Sequence, residues 1–164
     1  MTRRLLPILR ILLVSCLAPT LGRAADFRPG DVPSGGSPQP IAVVKKEAWR
    51  LAERVAAQHL GSFVVRGDGP SMAPLYPSGT LLVIERVPYN QLKRGATVLF
   101  RYEVGLPIAH VLVARSSKGW RTAGLGNEYF DEEFLLPENL LGVVTHAFTP
   151  VDLPPKDALN YAAR

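Results

Sequence analysis

The sequence predicts a mainly β domain, a coiled β-sheet or partly closed barrel, with one amphipathic helix on its N-terminal side. Three observations predict it. From residue 62 on, short runs rich in Val, Leu, Ile, Phe and Thr are separated by Gly, Pro, Asn or Ser, with no helical period between them. Gly and Pro together make up 29 of the 164 residues, a loop-rich count. A single stretch, residues 43–61, carries apolar side chains at helical spacing.

The first 24 residues read as an export leader. Met1 to Arg4 form a positive n-region, Leu5 to Leu17 are mainly apolar, and small residues follow at Gly22, Ala24 and Ala25. Cleavage is expected after Ala24. The apolar run, broken by Pro7 and Arg10, is short for a spanning helix of roughly 20 residues. An uncleaved anchor remains an open alternative. So does a lipoprotein leader, because Leu13-Val14-Ser15-Cys16 is similar to a lipobox in which Cys16 is lipidated. All three readings place the domain outside the cytoplasm, in a periplasmic or other extracytoplasmic setting, with possible membrane association through the leader.

Residues 25–42 are dense in Pro and Gly and read as a flexible linker. In residues 43–61, Trp49, Ala52, Val55, Ala56 and Leu60 define the apolar face of the helix, and Gly61 stands at the expected stop. The β domain spans 62–148. Its strands are expected at Phe63 to Val65, Thr80 to Val87, Ala96 to Tyr102, Ile108 to Arg115, Trp120 to Thr122 and Leu140 to Phe148. Residues 149–164 read as a peripheral tail.

The net charge of +5 does not mark a nucleic-acid binder. Four of the 19 basic residues fall in the leader, which holds no acid, and the remaining 15 face 14 acids. Cys16 is the one cysteine, so the mature domain cannot form an internal disulfide. Three scattered His residues have no metal-ligand spacing, and no Gly-rich phosphate loop opens a helix. No cofactor is expected.

On local grounds Ser71, in Gly69-Pro70-Ser71-Met72-Ala73-Pro74, is a turn residue. The order of segments around it carries more. Ser71 to Leu75 are followed by Ser78-Gly79, then Leu92-Lys93-Arg94-Gly95-Ala96-Thr97-Val98-Leu99-Phe100. Pro107-Ile108-Ala109-His110-Val111 and Leu140-Leu141-Gly142-Val143-Val144 complete the series.

This series, over residues 62–148, resembles type I signal peptidases and the related self-cleaving SOS-type repressor peptidases. The resemblance implies the coiled β-sheet of the signal peptidase catalytic domain, with Ser71 as nucleophile. A serine hydroxyl needs a base to take its proton. In one branch of the family that base is a lysine, and in the other a histidine. The matching position here is His110, which places the chain nearer the Ser-His branch. An unperturbed histidine titrates at about 6.5, near neutral pH. Lys93 lies in a surface turn and reads as solvated.

The histidine branch orients its base with an aspartate near a Gly-Asp-Asn motif. Here Leu125 stands where that aspartate would be, and Asn127 and Asp131 keep the remainder of the pattern. Asp131 is the candidate orienter, with Glu128 behind it. The oxyanion and substrate-binding candidates are the Ser71 backbone N–H, Met72 and Gly69; a hydroxyl common in the family at the position of Gly69 is missing.

The resemblance implies an exported serine endopeptidase that cuts extended segments of exported proteins, with small residues beside the scissile bond. Ser71 lies more than 40 residues beyond the leader, which favours processing of other exported proteins over general leader removal. The alternative is a catalytically inactive exported domain of the same fold that binds peptides, favoured by Leu125 and Gly69. Self-cleavage ranks last, because no Ala-Gly pair lies between the leader and Ser71.

Overall fold

The computed structural model describes residues 32–102 and 105–152. The leader with Cys16, and the tail beyond 152, lie outside them. All six expected strand runs form strands. They are β2 (Phe63–Arg66), β3 (Leu81–Glu85), β4 (Thr97–Arg101), β5 (Pro107–Ser116), β6 (Gly119–Ala123) and β7 (Leu140–Val151). A seventh, β1 (Ile41–Val44), takes residues expected at the end of the linker and the start of the helix, and precedes α1 (Lys45–Ala56), the one α-helix among the described residues.

The strands run in the order β2-β3-β7-β4-β5-β6, each pair antiparallel, and the sheet stays open with β2 and β6 at its ends. The twelve-residue β7 is the spine. It pairs with β3 along one edge and with β4 over Leu140–Val143 on the other. Beyond β4, β1 pairs parallel to it from Ile41↔Phe148 to Val44↔Val151.

Alternation along each strand buries both faces of the sheet. Leu82, Ile84, Leu99, Val111 and Val144 pack on one face, with Met72 and Tyr76. On the other face, Val98, Phe100, Leu112, Trp120 and Leu135 form one cluster. Leu81, Val83 and Phe148 form a second under α1. A bulge leaves Thr145 unpaired between the Val83↔His146 and Ile84↔Val144 rungs. That extra residue lets Val144 and Ala147, three apart, reach the same core.

Three expectations need correction. The helix buries Ala52 and Ala56 of the expected face, but Ala48 joins them in place of Trp49 and Leu60. Trp49 is 45% exposed and donates its indole N–H to Glu53 Oε1 at 2.7 Å, and Leu60 lies wholly in solvent beyond the helix end at Ala56. Alanines at i, i+4 and i+8 let the helix backbone settle close to the sheet, which an indole there would prevent.

The second correction concerns the linker. The described part of 25–42 is docked rather than free. Ser37 is buried and its hydroxyl donates to Gly95 O at 2.9 Å, with Thr97 Oγ1 at 2.7 Å. Tyr76 donates its hydroxyl to Pro38 O at 2.7 Å. Proline and glycine bar a regular interior strand, but they do not bar a strap held by side chains of the sheet. Third, the last strand runs on through Pro150 to Val151, because β1 supplies a partner for it.

Candidate functional site

Ser71 sits in the excursion between β2 and β3. The ladder of these strands extends to Gly67, whose N–H donates to Thr80 O at 2.8 Å. Between Asp68 and Ser78 the chain leaves the sheet. Gly69 allows the exit with φ +97°, in the left-handed region that glycine favours, and its N–H donates to Ser78 Oγ at 3.2 Å. Two short turns follow, with Ala73 N–H on Pro70 O and Tyr76 N–H on Met72 O, each 2.9 Å. Met72 drives into the core and pins the turn, while Ser71 stays half-buried at its surface.

The loop after β6 grips this turn from the other side. Gly126 N–H donates to Ser71 O at 2.8 Å. A Cβ on Gly124 would stand 2.6 Å from Ser71 O, and one on Gly126 would stand 2.8 Å from Pro70 O. Both positions need glycine because backbone occupies the space a side chain would take. The Ser71 N–H donates to no acceptor among the described residues.

His110 lies on β5 beside Val111, which pairs with Ala123, the residue before Gly124. It is buried. Its Nδ1 is 2.9 and 2.8 Å from the two carboxylate oxygens of Asp131, itself buried. An ionised carboxylate only accepts, so Nδ1 donates its N–H to it; in the neutral ring that leaves the lone pair on Nε2. Nε2 makes no hydrogen bond among the described residues. The enclosed, unpartnered side-chain atoms there are Ser62 Oγ and Trp120 Nε1, so Nε2 keeps access to solvent.

A cavity of about 140 Å³ opens beside Ser71. Ser71, Val65, Met72, Leu99 and Ala109 line it together with the charged Arg66 and Asp68. Two stretches of sheet edge flank it: among the described residues β2 pairs only with β3, and Pro107–Ala109 of β5 extend past the start of the β6 pairing at Val111. Ala109 faces the cavity and its neighbour His110 faces Asp131, as strand alternation requires.

Among the residues singled out from the sequence, the structure joins His110 to Asp131. It sets the Ser71 carbonyl against the Gly124–Gly126 loop, and Met72 and Gly69 with Ser71 around the cavity. Ser71 Oγ and His110 share no hydrogen bond within the described residues. Glu128, expected behind Asp131, is exposed and makes no bond to His110, so that expectation is corrected. Lys93 is exposed. Leu125 packs against the core cluster that includes Met72, a setting that disfavours an acid.

Thr122 is the residue the sequence did not single out. Fully buried, it donates its hydroxyl to Asp131 Oδ2 at 2.5 Å. A threonine inside a β-type run carries no local signal of such a contact. Among the described residues no group of three His, Cys, Asp or Glu is placed to hold a metal ion, and no helix is long and apolar enough to cross a membrane. The chain matches no protein-family model and no curated protein.

Proposed function

We propose that this chain is an exported serine endopeptidase with a divergent signal peptidase-like fold, acting on extended segments of exported proteins. The observation that carries the reading is the buried His110–Asp131 pair, one residue along β5 from Ala109, which lines the same cavity as Ser71. Ser71 Oγ bonds to the acyl carbon as its proton passes to His110 Nε2. The C–N bond then breaks, and that proton moves to the leaving amine. Water repeats the cycle on the acyl-enzyme, giving its proton to Nε2 and its oxygen to the acyl carbon, which frees Ser71. Asp131 holds the ring and stabilises the imidazolium. The Ser71 N–H, which donates to no acceptor among the described residues, is the oxyanion donor of this reading.

The cavity and the sheet edges beside it support the substrate class. An extended peptide adds main-chain hydrogen bonds to an open edge and sets alternate side chains into pockets. The apolar part of the cavity lining, Val65, Met72, Leu82, Leu99 and Ala109, suits a small aliphatic side chain next to the scissile bond. The leader would deliver the domain outside the cytoplasm, with or without a membrane tether.

The test is a protease assay on a mixed peptide library, wild type against Ser71→Ala. Cleavage by wild type alone is the expected result. Equal cleavage by both, or none by either, removes the reading. The second reading, an inactive peptide-binding domain, draws on Leu125, an apolar residue where the family's acid would stand. It predicts peptide binding by wild type and Ser71→Ala alike, with no cleavage.

A further inference from the structure

The pair that orients the base is itself held by a third side chain. Resting on the peptidase reading, we propose that Thr122 is a positioning residue, fixing the plane of the Asp131 carboxylate so that His110 presents Nε2 toward the nucleophile. Both oxygens of Asp131 lie at nearly equal distances from His110 Nδ1, 2.9 and 2.8 Å. That contact alone leaves the carboxylate free to rock about its own axis. The Thr122 hydroxyl removes this freedom, donating to Oδ2 at 2.5 Å from a fully buried position.

The backbone repeats the grip. Asp131 N–H donates to Thr122 O at 3.0 Å, so residue 122 holds residue 131 at both main chain and side chain. The segment around Asp131 is laid along β6 on either side of this rung. Trp120 and Leu135 exchange both backbone hydrogen bonds, at 3.0 and 2.9 Å. On the other face of β6, the Arg121 guanidinium lies 5.3 Å from the Phe130 ring and 5.0 Å from the Phe134 ring. These contacts bring Asp131 to the right place, and the Thr122 hydroxyl sets its orientation.

The chemistry needs this because an ionised carboxylate with two donors, Thr122 Oγ1–H and His110 Nδ1–H, locks the tautomer in which Nε2 is the acceptor. Thr122→Val keeps the shape and removes the donor. Thr122→Ser keeps the donor.

Two readouts test the proposal. The first is turnover of the peptide cleaved by wild type. Thr122→Val should lower kcat about tenfold with KM little changed, as for other partners that orient a working side chain, and Thr122→Ser should restore it. The second is the His110 Nδ1–H proton resonance, which does not depend on activity. Wild type and Thr122→Ser should show it as a protected downfield signal, and Thr122→Val should broaden or lose it. An unchanged resonance and unchanged kcat in Thr122→Val overturn the role. If wild type proves inactive, the peptidase reading falls, and the resonance alone decides whether Thr122 holds the pair. Should Thr122→Val fail to fold by circular dichroism, Thr122→Ala takes its place in both measurements.

Discussion

The two halves of the candidate site are held in different ways. The His110–Asp131 pair is buried and fixed by side chains, with Thr122 closing the chain of contacts. The Ser71 turn is half-exposed and fixed by backbone, through Gly126 N–H on its carbonyl and the close approach of Gly124. In the proposed peptidase a base and its orienter tolerate little rotation, so directional side-chain bonds in a buried site suit them. Its nucleophile must be reachable by a polymer substrate, and a half-exposed turn anchored by Met72 and by the Gly124–Gly126 loop suits that.

The largest expected effect breaks the first half. Asp131→Asn keeps the shape of the side chain but offers an amide N–H where the carboxylate accepts. The tautomer of His110 is then no longer enforced, and kcat should fall by on the order of 10³- to 10⁴-fold, as when the orienting acid of a triad is neutralised. Single-turnover peptide cleavage measures it. A fall below tenfold would show that Asp131 does not orient the base.

The next breaks the second half alone. Gly124→Ala inserts a Cβ at 2.6 Å from Ser71 O. The turn must shift, and a displacement of about 1 Å at a nucleophile costs roughly a hundredfold in rate. The His110 Nδ1–H resonance should survive. Loss of that resonance together with activity would mean that the two halves are one rigid unit rather than two.

The smallest effect sharpens the contrast through stability. Tyr76 closes the turn that begins at Met72 and ties it to the docked N-terminal strap by its hydroxyl on Pro38 O. Tyr76→Phe should cost about 1 kcal/mol in urea unfolding. Burial pushes the Tyr76 phenol well above its ordinary value, against a smaller opposing effect of Thr97. The folded state therefore favours the protonated phenol. Its contribution is whole below the ordinary tyrosine range of about 10 and is lost as pH rises above it. Wild type should lose stability above about pH 10 more steeply than Tyr76→Phe. Parallel pH profiles for the two proteins would remove the phenol from the account.

Much of the sheet was legible because its signal is local. Leu81 to Ile84 and Val98 to Phe100 are continuous apolar runs bounded by turn residues, and such runs become strands buried on both faces. Positions where two elements meet were not. The apolar size of Trp49 placed it on a buried face that Ala48 completes instead, since size measures the gain from burial and not the gap available. Ala48 and Ala52 fill that gap because the sheet lies so close. Ser37 was hidden in a Pro-Gly segment because its partners, Gly95 and Thr97, are some 60 residues away.

Six of the seven described strands, the amphipathic helix and the serial order of Ser71, His110 and Asp131 were legible along the chain, since each depends on sequence neighbours. Tertiary packing was needed to make Ile41–Val44 a strand on β7, to bring Asp131 to His110 and Thr122 to its carboxylate, to draw Leu125 onto the core and to leave Glu128 in solvent. A hydrogen bond needs atoms within about 3 Å in a fixed direction. The order of residues does not encode that distance. It arises when the 130–135 segment settles along β6, and the register of that docking selects which side chains meet.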